Sequence, residues 1–416
     1  MTQQQDVLVI GGGVIGICAA YYLLKEGRQV TVLERDEVCS GASFGNSGLI
    51  VPSHSTPLPS PGVIGRALKW MLKPESPFYV KPRFSPSLAS WLWRFRAAAT
   101  ESRMRDAIRV LLAMSRESVG LFEELIGQEK LDCDYHRNGL FMLYRTEDGF
   151  RHGVEEARVL EEEGLSIRTL NGSEVNGMEP GVRPDIAGGV YYEEDANLSP
   201  AEFVHGLARR VVENGGTITE GAEVMGFEVS GDRVVQVRTT QGDFQPEHVV
   251  LAAGSWSPGL VRGLRFKLPV QPAKGYSVTF DSPEPGLTYP MILGEAMVGV
   301  NRMGSQMRIA GTLEMAGLDL AIDSRRVNAI VRAAGDYLLG DRGSFKTENA
   351  WSGLRPVTPD GVPVVGRPSS CENLIAATRH ATMGVTLGPV TGKLVAQIAC
   401  GQSPMLDLAA LSPDRF

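Results

Sequence analysis

The sequence is short of the features that mark metal sites, disulfide scaffolds, membrane spans and nucleic-acid binders. Its 416 residues hold five cysteines (Cys18, Cys39, Cys133, Cys371 and Cys400), odd in number and widely scattered. No C-x-x-C pair occurs, so neither a zinc site nor a disulfide framework is expected, and the pattern suits a reducing compartment. Basic charge is not in excess. The 41 Lys and Arg against 48 Asp and Glu leave a formal net charge of −7, the wrong sign for a phosphate-binding surface, so no nucleic-acid partner is expected. No stretch approaches the roughly 18 uncharged apolar residues of a membrane span. The opening "MTQQQDVLVIGGG" has no basic region before its apolar run, so a signal peptide is not expected either. Internal repeats and low-complexity linkers are also missing.

Glycine, by contrast, is abundant. There are 48, well above the usual share of about 7%, which implies many tight turns or close backbone approaches to a ligand. The first cluster is informative. Val7 to Ile10 reads as a buried parallel strand. Gly11, Gly13 and Gly16 follow with G-x-G-x-x-G spacing, then a helix ending near Gly27 and a second strand, Val30 to Leu33, closed by Glu34. Gly11 permits the tight turn, Gly13 lets a pyrophosphate approach the backbone, and Gly16 lets helix and strand pack closely. The helix N-terminus presents N–H groups and partial positive charge to the phosphates. Glu34 can accept hydrogen bonds from ribose hydroxyls and disfavours a 2′-phosphate, leaving NAD or FAD. The long small-residue loop "CSGASFGNSGLIVPSH" (39–54) favours FAD, since it can run along an extended pyrophosphate towards an isoalloxazine ring.

Further along, residues 60–128 read as mostly helical and rich in Arg, Trp and Met. Segments 137–145 and 187–195 read as exposed-edge or one-sided strands. A helix is expected at 200–214, short alternating strands at 223–247 and 270–312, a buried strand in "HVVLAAGSWSP" (248–258) and a helix at 322–338. Near the end, "HATMGVTLGPVTGK" (380–393) is a glycine-rich turn running straight into a helix. The parts of the nucleotide-binding lobe are therefore dispersed, with a second lobe inserted between them.

Five stretches occur in an order that resembles the D-amino-acid oxidase superfamily: "VIGGGVIG…VLER", "SGASFGNSGLI", "LAAGSWSP", "SGLRPVTPDGVPVVG" and "HATMGVTLGPVTG". The chain is most similar to the bacterial D-amino-acid dehydrogenase branch and is similar to glycine oxidases and hydroxy-D-proline dehydrogenases. The resemblance spans essentially the whole chain. It implies a mixed α/β fold: a glutathione-reductase-like Rossmann domain for noncovalent FAD with an inserted antiparallel-sheet substrate domain. The expected division is 1–60, 198–265 and 345–416 for FAD, and 61–197 and 266–344 for substrate. The positions implied for the cofactor include Val14, Ile15 and Arg35 beside the first motif, and Ser43, Asn46, Ser47, Gly48 and Leu49 along the pyrophosphate and flavin edge. Val224 is implied for the adenine, and Ala253, Gly254 and Trp256 for packing on the cofactor. Thr382, Met383, Gly384, Val385 and Thr386 are implied at the pyrimidine end of the flavin. Ala381 and Val385 depart from the Gly and Trp frequent in that branch. No cysteine in the last turn supports a covalent flavin link.

The resemblance also implies that Arg355 grips a substrate carboxylate, which its planar fork suits. Arg302 and Arg308 are weaker candidates, because one of two arginines on alternating strands normally faces solvent. Tyr276 and Tyr289 can hydrogen-bond a carboxylate or serve the core, and His54 and His380 lie near the two flavin-side segments. The expected reaction is oxidative deamination of a D-amino acid, D-proline and hydroxy-D-proline included, by hydride transfer to flavin N5, with a quinone or another acceptor taking the electrons. A peroxide-forming oxidase of the glycine or sarcosine type and a redox-silent FAD-binding subunit are the alternatives. Helical stretches "RALKWMLK" (66–73) and "SLASWLWRFR" (87–96) combine Trp, Leu and basic residues. The expected location is therefore cytoplasmic, with peripheral contact to the inner face of the plasma membrane as an extension.

Overall fold

A computed structural model describes residues 2–63, 65, 76–282, 286–340 and 347–416. Among these, strands numbered along the chain form two large sheets and a short ribbon. In the first sheet, β1 (Thr2–Ile10) lies between β2 (Val30–Leu33) and β12 (Gly242–Leu251), all parallel. β9 (Thr217–Thr219) extends it beyond β2, and β19 (Leu374–Thr378) runs parallel beside the end of β12. β10 (Val224–Ser230) and β11 (Arg233–Thr239) add an antiparallel flank, and β18 (Val364–Gly366) pairs with β19.

The second sheet runs in the order β17 (Ala350–Val357), β13 (Gln271–Asp281), β16 (Gln306–Met315), β15 (Val298–Met303), β14 (Met291–Leu293), β5 (Leu140–Tyr144), β7 (Gly188–Tyr192) and β6 (Ile167–Asn171). Its pairs are antiparallel except β14 with β5 and β4 (Phe78–Val80) with β16. The ribbon joins β3 (Leu49–Ile50) to β8 (Ala196–Asn197).

Two expectations change here. β5 and β7 are interior strands with four of five residues buried in each. Leu140 and Tyr144 enter one apolar cluster, and Phe141 and Leu143 enter another, so both faces are covered and the one-sided reading fails. β17 also departs from the expected division. It falls within 345–416, yet it hydrogen-bonds to β13 from Gln271↔Val357 to Val278↔Ala350 and so belongs to the second sheet. The junction at 344/345 lies outside the described residues, as does the 66–73 stretch.

The helices that set the site are α1 (Val14–Lys25), α2 (Pro86–Ala98), α3 (Glu101–Glu129), α4 (Pro200–Glu213), α5 (Ser324–Tyr337) and α6 (Gly388–Ala399). α1 is buried over most of its circumference because the first sheet and α6 both cover it. Small residues make this possible. A Cβ on Gly16 would stand 1.8 Å from the Gly11 carbonyl oxygen, and one on Gly392 would stand 2.5 Å from the Cys18 backbone. The glycine-rich start of the last helix thus lets α6 cross against α1.

Candidate active site

The parallel strands end on one side of the first sheet, where open α/β sheets bind ligands. A cavity of about 320 Å³ opens there. Gly11, Gly13, Val14 and Ile15 from the first turn line it, with Glu34 and Arg35 after β2, Val224 at the start of β10, and Ala253, Gly254 and Trp256 after β12. Ser43 and Asn46 of the small-residue loop, Arg355 on β17, and His380, Gly384 and Val385 before α6 also line it.

Local chemistry fits a bound FAD. Gly11 has φ +110°, and a Cβ there would sit 2.6 Å from the Ala252 carbonyl oxygen, so the turn requires glycine. α1 has no side-chain cap at Gly13 and no acid in its first turn, leaving its positive end facing the cavity. Ser43 Oγ accepts from the Val14 N–H at 3.0 Å and brings the loop against that end. Glu34 accepts from the Gly12 N–H at 2.6 Å and the Asp36 N–H at 3.0 Å, which fixes its carboxylate at the cavity rim. The Arg35 guanidinium lies 4.6 Å from the Trp256 ring centroid and pairs with Asp36. No group of three potential metal ligands occurs among the described residues.

The loop over the cavity is pinned from several sides. Arg308, buried, donates to the carbonyls of Phe44 and Asn46 at 2.7 and 2.8 Å and to Thr279 Oγ1 at 2.9 Å. Its donors thus serve the loop. Asn46 Oδ1 accepts from the Gly48 N–H, and Thr386 Oγ1 bridges the Val51 N–H and the Leu49 carbonyl. Beyond the ribbon, the buried Asp195 accepts from both the Ser53 N–H (3.0 Å) and hydroxyl (2.5 Å). Burial pushes the Asp195 carboxyl up to about 8.

Arg355 descends from the second sheet. Its guanidinium occupies the place a Cβ on Gly275 would take, and Nη1 donates to the Thr312 carbonyl at 2.7 Å. Among the described residues no carboxylate lies within ion-pair distance of it. Burial lowers its pKa to about 10, so it stays charged at neutral pH. On the same strand face, the Trp351 ring fills the space over Gly353 and Gly45.

Strand alternation separates the other candidates. Tyr276 belongs to the opposite face of β13, where its hydroxyl donates to Glu314 Oε2 at 2.6 Å inside the cluster under α5. Tyr289 packs edge-on against Phe141 and Tyr191, away from the cavity. Arg302 is exposed and donates to the Gly304 carbonyl. His54 sits in the short turn after β3, outside the cavity lining; its buried Nδ1 has no partner among the described residues, and desolvation lowers its pKa to about 4. His380 lines the cavity, pairs through Nε2 with Thr391 Oγ1 at 2.9 Å, and is held neutral by burial, with a pKa of about 3.

Several positions implied for the cofactor stand behind the cavity wall. Gly16 packs α1 on β1, Ser47 offers its carbonyl to Asn301, Gly48 approaches the Leu198 carbonyl, and Leu49 joins the ribbon. Thr382 is exposed, Met383 enters the core, and Thr386 ties α6 to the loop. Sequence reasoning passed over Trp351 and Arg379. The latter lies one residue before the quoted terminal motif and lines the cavity.

A family model described as FAD dependent oxidoreductase matches residues 6–398. A D-amino acid dehydrogenase of Paramagnetospirillum magneticum is 34% identical over 417 aligned residues, covering 99% of this chain and 98% of that one. The D-amino acid dehydrogenase of Xanthobacter autotrophicus is 32% identical, with 99% of each chain covered. Among solved structures, glycine oxidase from Geobacillus kaustophilus superposes over 100% of both chains with a TM-score of 0.77 at 25% identity. L-proline dehydrogenase from P. horikoshii shares the fold, with a TM-score of 0.76 at 18% identity, covering 100% of this chain and 98% of that one.

Proposed function

Because the chain belongs to the FAD-dependent oxidoreductases of the D-amino-acid oxidase superfamily, we propose that it oxidises a D-amino acid to the imino acid, which water converts to the 2-oxo acid and ammonia. FAD, when bound, supplies the acceptor for the α-hydrogen and its electron pair. The chain's own residues do the holding. With FAD bound, the α1 end and Ser43 would hold the pyrophosphate and Glu34 would hold the ribose. Arg355 takes the substrate carboxylate in a charge-assisted pair and so fixes the direction of the α C–H. The substrate amine enters neutral, its proton going to water as C–N becomes C=N. One observation carries this reading: Arg355 is a charged guanidinium with no carboxylate partner among the described residues, in the same cavity as the dinucleotide turn.

Anaerobic mixing with paired D- and L-amino acids, including proline, hydroxyproline and sarcosine, tests it. Flavin bleaching by a D-enantiomer is expected; no bleaching by any of them would leave only the redox-silent alternative. The likeness to glycine oxidase over the full length keeps a peroxide-forming oxidase as the second reading. Peroxide yield against dye reduction separates the two.

The proposed electron acceptor is a quinone, reached at a membrane surface. No helix among the described residues is long and apolar enough to cross a membrane. α2, however, exposes Trp93 at 71%, with Phe84 just before it at 99%. Flotation with anionic liposomes at low salt should carry the protein upward, and failure to float removes the membrane contact. We also propose the two-lobe division given above, with β17 assigned to the substrate lobe. Every other strand of each large sheet falls within the residues of one lobe.

A further inference from the structure

The face of the second sheet turned away from the cavity carries a buried charged cluster, none of whose members lines the cavity. Glu314 Oε2 on β16 accepts from the Tyr276 hydroxyl at 2.6 Å. The same oxygen lies 3.7 Å from Lys274 Nζ on β13 and 3.5 Å from Arg326 Nε on α5. Lys274 Nζ also donates to the Ala321 carbonyl at 2.8 Å and stands 3.5 Å from Asp319. The Arg326 guanidinium lies 4.5 Å from the ring centroid of Tyr79 on β4. None of Tyr276, Lys274, Glu314 and Arg326 is more than 6% exposed. Desolvating such groups offsets most of their attraction, so a buried ion cluster adds little stability over apolar packing. Its place in the sheet indicates another use.

The cluster sits on a break in the β13–β16 ladder. Pairing runs from Asp281↔Gln306 to Tyr276↔Gly311 and resumes at Lys274↔Glu314. Between those pairs β13 has one residue, Gly275, and β16 has two, Thr312 and Leu313, which makes a bulge. There β16 also changes its other neighbour, from β15 (Gly299↔Ala310) to β4 (Leu313↔Phe78). Thr312 absorbs the break with φ +69°, a left-handed conformation that a β-branched residue keeps only where its surroundings impose it. Its carbonyl is the one that accepts from Arg355 Nη1, and the Arg355 guanidinium lies over Gly275, opposite the bulge. On the other face Glu314 reaches both Lys274 and Tyr276, the β13 residues that flank Gly275. One carboxylate thus ties the two ends of the break together, directly behind the anchor.

We propose that Glu314, Tyr276, Lys274 and Arg326 are positioning residues for Arg355: they hold the bulge whose Thr312 carbonyl aims the guanidinium into the cavity. This rests on the reading of Arg355 as the carboxylate anchor. The test is the second-order rate constant for anaerobic flavin reduction of the holoenzyme by D-alanine and by D-proline, expressed per bound flavin. Tyr276→Phe and Glu314→Gln are each made in the native chain and in Arg355→Ala. In the native chain either substitution should lower the rate constant about tenfold, the coupling expected within one network. In Arg355→Ala the same substitutions should lower it less than about twofold, because no anchor remains to be aimed. Rates per bound flavin exclude losses through poor folding. Tyr276→Phe deletes a single oxygen and keeps the test decisive if Glu314→Gln does not fold. A native rate constant in Tyr276→Phe, or equal losses with and without Arg355, would overturn the inference and assign the cluster to the fold alone, with the anchor reading intact. A native rate constant in Arg355→Ala, or no reduction by either D-amino acid, would overturn both.

Discussion

Single side chains in this cavity are set by which neighbours already occupy their hydrogen bonds. Glu34 holds two backbone N–H groups, and a Gln in its place can accept as well but carries no charge. Glu34→Gln should weaken FAD about tenfold, read by flavin fluorescence, as expected for one charge-assisted bond. Asp195 gives the pH prediction. Its folded pKa of about 8 lies above the ordinary value of about 3.9, so the fold favours the protonated carboxyl. Its contribution is fully present below pH ~4 and is lost as pH rises through about 8. Each unit in that window costs up to about 1.4 kcal/mol at this group, with Glu194 adding to the upward push. Asp195→Asn should therefore flatten the decline in melting temperature between pH 5 and pH 8; an equally steep decline would show that Asp195 is ionised in the fold. At this scale the sequence was only partly legible. It offered Arg355 through the resemblance, Arg302 and Arg308 as weaker candidates, and Tyr276 and Tyr289 as residues for a carboxylate or for the core. Only the β13–β17 register shows that Arg355 faces the cavity and that Tyr276 faces α5.

At the level of elements, the glycines that open and close the chain serve one crossing. Gly16, Gly388 and Gly392 allow α1, β1 and α6 to meet at backbone distance. Gly16→Val should cost about 3 kcal/mol by overpacking and lower the bound flavin together with the melting temperature. A normal flavin content would mean that the helix can shift without moving its N-terminus. The strand–turn–helix–strand unit at 6–35 was readable because every part is local: spacing, an apolar run and an acid. β5 and β7 were misjudged because two separate apolar clusters cover their faces, and that covering comes from segments remote in sequence.

For the whole molecule, the first sheet is assembled from three stretches of chain, and the cavity at its strand ends is also lined by Arg355 from a strand of the other sheet. FAD therefore bridges both sheets and should stabilise them together. Ligand at a hundredfold excess over Kd should add about 2.7 kcal/mol to unfolding, as one cooperative transition by calorimetry. Two transitions would mean that the sheets unfold independently. Motif order along the chain pointed to this assembly, whereas the place of β17 needed its hydrogen-bond partner. Arg355 is proposed to hold the substrate carboxylate within the FAD cavity. The most direct test is substrate affinity from anaerobic flavin reduction in Arg355→Ala. Loss of about 3 kcal/mol, more than a hundredfold in the half-saturating concentration, is the expected result. Saturation at the native concentration would contradict it.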